Sequence, residues 1–197
     1  MQILICGDSF AADWTVKYSG QGWPNLLAKQ YNVVNLAQAG CSEYKILKQL
    51  ESVDVSEYDC VIVSHTSPYR IYVAEHPVHH NDILHKNCDL IYTDLKEHVI
   101  KNKKLAPIID YFENYFDTKH AKDMHKLVCE KIDSYLKHVT NRVIHITNLN
   151  YETLYEFKNM INFEYLFASN RGLMNHYDDE GNKKIFQAVS DAIKLIV

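Results

Sequence analysis

The strongest constraint on the fold comes from a few short runs of apolar residues. Ile3-Leu4-Ile5-Cys6, Cys60-Val61-Ile62-Val63 and Val143-Ile144-His145-Ile146 are nearly continuous in hydrophobic side chains, and Asn32 to Ala37 is built around Val33, Val34 and Leu36. Successive strand residues point to opposite faces of a sheet, so a run that is apolar throughout predicts a strand covered on both sides. A fifth strand is expected near Met160 to Ala168. No apolar run exceeds six residues, which excludes a bilayer span.

Helical spacing fills the intervals. Trp23-Pro24 predicts a helix start, with Leu26, Leu27 and Tyr31 on its apolar side. After the Gly40-Cys41-Ser42 turn, Ser42 is expected to cap a helix carrying Ile46, Leu47, Leu50 and Val53. Met124, Leu127, Val128, Ile132, Leu136 and Val139 mark another helix. Ile185, Val189, Ile193 and Ile196 mark the last one, from about Asp178, its expected N-cap. Strands alternating with helices predict an α/β fold: a three-layer α/β/α sandwich on a central parallel sheet, flavodoxin-like in plan. The whole chain, 1–197, is read as one domain.

A segment at about 75–117 is too long for a plain crossover and is read as a helical insertion. Leu84, Cys88, Ile91, Leu95 and Val99 form its helical pattern, followed by the aromatic cluster Tyr111, Phe112, Tyr115 and Phe116. It is expected mainly to add core, with a lid as the alternative. It also holds His76, His79, His80 and His85, close to Asp82 and Cys88. Their spacing fits no zinc motif, so this stretch is expected to be a solvated loop with no metal.

Composition narrows the function. The net charge is -4 and the 21 Lys and Arg are scattered, which argues against a nucleic-acid partner. The five cysteines are odd in number and lack a C-x-x-C pair, so free thiols are expected. Without a leader-like start, a cytoplasmic location is expected.

Two positions carry chemistry. Ser9, in Gly7-Asp8-Ser9-Phe10, follows the first strand, where its hydroxyl can face the crevice at a sheet's carboxyl end and nearby amides can face an oxyanion. His176 precedes the last helix, well placed to act as base for a strand-end serine. Asp8 is read as shaping the loop. Trp14, Tyr18, Trp23, Tyr69 and Tyr72 are candidates for an aromatic wall, as an alternative to core.

In this order the blocks resemble the SGNH hydrolases, the GDSL esterase and lipase family. Gly7-Asp8-Ser9 matches the nucleophile block, with Phe10 in place of Leu. Asn35-Leu36-Ala37-Gln38-Ala39-Gly40 matches the second block. His176 through Gly181-Asn182 matches the last. Two departures stand out. Where the family has Gly-x-Asn-Asp, this chain has Ser64-His65-Thr66-Ser67-Pro68-Tyr69-Arg70. Where it has an Asp three residues before the histidine, this chain has Leu173, leaving Asn170, Asn175, a backbone carbonyl or a distant carboxylate to orient the ring.

The resemblance implies a serine esterase with no cofactor. His176 deprotonates Ser9, which attacks an ester carbonyl. The amides of Ser9 and Gly40, with Ser67 or Thr66 and the charge of Arg70, stabilise the oxyanion. The expected substrate is a small-molecule or carbohydrate ester, an O-acetylated carbohydrate first. The alternatives are an O-acyltransferase at the same site and a non-catalytic glycan-binding or scaffold protein on a decayed hydrolase fold.

Overall fold

A computed structural model describes residues 1–18, 21–148, 155–172 and 176–196. Five strands form one parallel sheet: β1 (Gln2–Gly7), β2 (Asn32–Asn35), β3 (Cys60–Ser64), β4 (Val143–Thr147) and β5 (Met160–Asn162), in the order β2-β1-β3-β4-β5. The helices are α1 (Trp23–Leu27), α2 (Glu43–Glu51), α3 (Tyr92–Val99), α4 (Ala106–Asn114), α5 (Thr118–Val139), α6 (Glu164–Phe167) and α7 (Asp179–Ile196). The expected α/β/α sandwich is present. No described helix is long and apolar enough to cross a membrane.

The strand alternation divides the core in two. Ile3, Ile5, Ile62, Ile144 and Ile146 face α1 and α7, packing with Trp23, Leu27, Ile185, Val189 and Ile193. Leu4, Cys6, Val61 and Val63 face α2 and α5, against Ile46, Leu47, Leu50, Ile132 and Leu136. Each fully buried aliphatic side chain contributes about 1.5–3 kcal/mol, so both helix layers are held mainly by these contacts. Asp178 accepts the Gly181 amide at 2.7 Å and so caps α7.

Several expectations need correction. Met124 and Leu127 are 46% and 56% exposed, so the packed stripe of α5 starts only at Val128. Ser42 precedes α2, yet its side chain makes no capping bond. The turn is held from outside instead, where the buried carboxylate of Asp89 takes the Ser42 amide at 2.7 Å. The fifth strand stops at Asn162 and gives way to α6.

In the insertion, helix α3 begins only at Tyr92. Leu84 and Cys88 lie in turns because Asp82 takes the amides of Leu84 and His85, and Leu90 pairs antiparallel with Ile71. The insertion builds a small core of its own from Leu90, Leu95 and Leu105, backed by Ile71, Ile108 and Phe112. Tyr111 and Tyr115 stay on the surface. The 76–85 stretch is not simply a solvated loop either, since His76 is 1% exposed.

Candidate active site

The loop that carries Ser9 is set at the carboxyl end of β1 by side chains from α2, from the loop itself and from the segment after β3. Gln49, on α2, takes the Gly7 amide at 2.8 Å and returns a hydrogen bond to the Gly7 carbonyl at 3.1 Å. Gly7 itself is required by crowding, as a Cβ there would lie 2.7 Å from Ser64 Cβ. Asp8 is buried. Its Oδ1 accepts the Phe10 amide at 3.0 Å, and its Oδ2 accepts the Thr66 hydroxyl at 2.7 Å and the Arg70 guanidinium at 3.0 Å. Asp8 therefore shapes the loop. Ser9 follows it, 9% exposed, and among the described residues its amide has no protein acceptor.

Tryptophan joins the serine to the histidine. The Trp14 indole N–H donates to the Ser9 carbonyl at 2.7 Å. The same ring meets the His176 ring edge-on, with centroids 4.6 Å apart, and Phe10 approaches the imidazole at 4.9 Å. Neighbours of Ser9 thus enclose His176 on two sides. The histidine's own loop is closed by Gly172 donating to the His176 carbonyl at 2.7 Å, and by Tyr177, whose hydroxyl proton is shared between the carbonyls of Asn148 and Phe163, each 3.1 Å away at the ends of β4 and β5.

Gly40 lies beyond β2 with φ of +75°, a conformation that only glycine adopts readily, and an added Cβ would sit 2.5 Å from Cys88 Cβ. Its carbonyl takes the Asp89 amide, while its own amide has no protein acceptor among the described residues. Ser9 and Gly40 therefore stand at adjacent strand ends, each with an unengaged N–H.

The third block is less available to an oxyanion than the sequence suggests. The single hydroxyl proton of Thr66 goes to Asp8. Arg70 is drawn into the same network, donating to Asp8 and to the Cys41 carbonyl, so its charge faces Asp8. Ser67 is half-buried and accepts the Tyr69 amide at 3.2 Å, which leaves its proton for another acceptor. Of the residues expected to orient His176, Leu173 and Asn175 lie outside the described residues. Asn170 is buried and takes the Lys184 ammonium at 3.2 Å. The aromatic wall reduces to Trp14 and Tyr18, with centroids 5.5 Å apart. Trp23 is core, its N–H bound to the Phe10 carbonyl, and Tyr72 pairs with Tyr44.

Behind the third block lies a buried network that the sequence did not reveal. His65 contacts Glu43 through Nδ1 at 2.7 Å and His145 Nδ1 through Nε2 at 2.9 Å, and Phe157 stacks on both rings. Glu43 also accepts the Thr66 amide at 3.1 Å. Burial alone would raise the Glu43 carboxyl, but the facing His65, together with His125 and the Thr66 amide, brings it below its ordinary value. Burial, with the nearby His65 and Lys137, pushes His145 down to about 2, so it stays neutral. Glu43 thus holds Thr66, Thr66 holds Asp8, and Asp8 shapes the turn at Ser9. Glu43 reads as an ordinary first-turn acid, and only the tertiary partners show its role. Asn148 was missed for the same reason: an Asn just after a strand, donating to Ser64 Oγ at 3.0 Å.

Comparison with solved structures places this fold among known hydrolases. The chain superimposes on a lipase from a goat rumen metagenome with a TM-score of 0.52 and 12% identity, covering 98% of this chain and 97% of the other. A protein from Parabacteroides merdae assigned as a GDSL-like lipase gives 0.51 and 12%, with 98% and 95% covered. No family model and no curated protein sequence matches the chain. The architecture is that of the GDSL-type lipases, as the sequence blocks had implied, at an identity that speaks for the fold alone.

Proposed function

We propose that this chain is an ester hydrolase of the SGNH type, a divergent member, acting through Ser9 and His176. The observation that carries the reading is the meeting at Trp14. One indole holds the Ser9 carbonyl and packs against the His176 ring, so the two residues singled out from opposite ends of the sequence share one wall. His176 takes the Ser9 proton as the hydroxyl attacks the ester carbonyl. The amides of Ser9 and Gly40 receive the oxyanion, with the Ser67 hydroxyl as a third donor. His176 then protonates the leaving alcohol, and water releases the acyl group.

The favoured substrate is an O-acetylated carbohydrate. Support for it comes from Trp14 and Tyr18, whose adjacent rings offer a face for a sugar beside the serine. The test is labelling by a fluorophosphonate probe, with the modified peptide located by mass spectrometry. Labelling of Ser9 that is lost in His176→Ala is expected. A folded protein that takes no label, or takes it elsewhere, would overturn the assignment and favour a binding protein on this fold.

A further inference from the structure

Metal-ligating side chains gather in three trios among the described residues: Glu43 with His125 and Cys129, His76 with His79 and Cys88, and His79 with Asp94 and His98. In each, one donor atom per residue lies within 4.8 Å of the other two. Hydrogen bonding distinguishes them. The Glu43 carboxylate is already filled by His65 and the Thr66 amide. Nδ1 of His76 accepts the amides of Val78 and His79, both at 3.2 Å. The proton of the neutral His76 ring therefore sits on Nε2, which has no lone pair left for an ion.

In the third trio the only such contact among the described residues is between two of the ligands themselves, the ion pair of His79 with Asp94. Nε2 of His79 lies 3.0 Å from each Asp94 oxygen. Asp94 and His98 stand four residues apart on α3, and so on one face. An ion would replace that direct contact with little movement, since metal–ligand bonds of about 2.0–2.2 Å put tetrahedral neighbours roughly 3.3–3.6 Å apart. His76 lies beside the trio. Its Nε2, buried and without a hydrogen-bond partner, lies 3.9 Å from Asp94 Oδ2.

We propose that His79, Asp94 and His98 bind one divalent transition-metal ion. Two imidazoles and one carboxylate suit zinc and its neighbours rather than calcium or magnesium, which take oxygen ligands. All three ligands are half-buried, so the site is reachable from solvent. The ion ties the 76–85 turns to α3. Those turns carry His85, whose ring lies 5.5 Å from that of His79 and 6.1 Å from that of Trp14. The site thus braces the outer side of the Trp14 wall as a structural clip, whatever reaction Ser9 performs.

The test uses the full chain, stripped with a chelator and titrated with zinc chloride by calorimetry, with bound metal counted by mass spectrometry. One zinc per chain and a rise in Tm are expected. His79→Ala and Asp94→Asn should each weaken binding at least tenfold, while His120→Ala, exposed on α5, leaves it unchanged. Cobalt in the site should absorb in the visible without a thiolate charge-transfer band. Should His79→Ala fail to fold, His98→Gln carries the same comparison. Absence of stoichiometric zinc, or equal affinity in the folded variants, overturns the site. A thiolate band abolished by Cys88→Ser overturns the choice of ligands.

Discussion

At the scale of single residues, backbone geometry around Ser9 is held by groups whose loss has calculable consequences. Gly40→Ala places a methyl on a positive-φ residue and within 2.5 Å of Cys88 Cβ. Backbone strain of about 1–3 kcal/mol, with a clash added, should lower stability and displace the Gly40 amide. Denaturant unfolding with ester kinetics should show both losses. An Ala that keeps wild-type stability would contradict the observed turn. Gln49→Ala leaves the buried Gly7 amide without its partner, at a cost of about 1–3 kcal/mol, while the Gly7 carbonyl keeps the Gln38 amide at 3.0 Å. The same unfolding experiment checks it, and Gln49→Glu should not restore stability, because a carboxylate cannot donate to the Gly7 carbonyl. The placement of Ser9, Gly40 and His176 was legible in sequence because each is marked by local punctuation: a strand end, a turn glycine, a helix start. Gln49, Glu43 and Asn148 were not, because each acts on a partner between 22 and 84 residues away.

At the scale of elements, the sheet was readable because burial on both faces leaves an unbroken apolar run. The insertion was not. A pattern from Leu84 to Val99 looks like one helix, yet Asp82 holds its first half in turns, and Asp89 anchors the end of those turns by taking the amides of Ser42 and Val73 and the Lys45 ammonium at 2.8 Å. Those partners are distant in sequence, and periodicity cannot register them. Asp89→Ala leaves two amides unmatched and takes the counter-charge from the poorly exposed Lys45 ammonium, which keeps only the Asn87 carbonyl at 2.7 Å and the Cys88 carbonyl, so a loss of about 3–5 kcal/mol is expected on unfolding. Leu95→Ala should act differently, because Leu95 belongs to the small core of the insertion. Hydrogen exchange should speed up across α3 and α4 and change little in β1 and β3. Uniform loss of protection over the sheet would contradict a separate core.

At the scale of the whole molecule, the buried histidines and Glu43 couple stability to pH. His145 is neutral when folded, its pKa pushed down to about 2, whereas in the unfolded chain it takes up a proton near pH 6.5. His125, also lowered mainly by burial, adds in the same direction. Between those limits the unfolded state binds more protons, so stability falls as pH falls below about 6.5, by up to about 1.4 kcal/mol per pH unit for each group. Glu43, held below its ordinary value when folded, contributes stability that is present above about pH 4.5 and is lost as pH falls through its folded pKa. Tm should therefore decline from pH 7 to pH 5, and His145→Gln should flatten the decline. A Tm that is constant or rises over that range would contradict the buried network.

The account turns on whether Ser9 and His176 act together on an ester. The most direct measurement is release of p-nitrophenol from acetyl and octanoyl esters by the wild type, Ser9→Ala and His176→Ala, with folding of each checked by circular dichroism. The account predicts turnover by the wild type, faster on the acetyl ester, and a fall on the order of 10³-fold or more in both variants. Unchanged hydrolysis by Ser9→Ala, or none by the folded wild type, would contradict it.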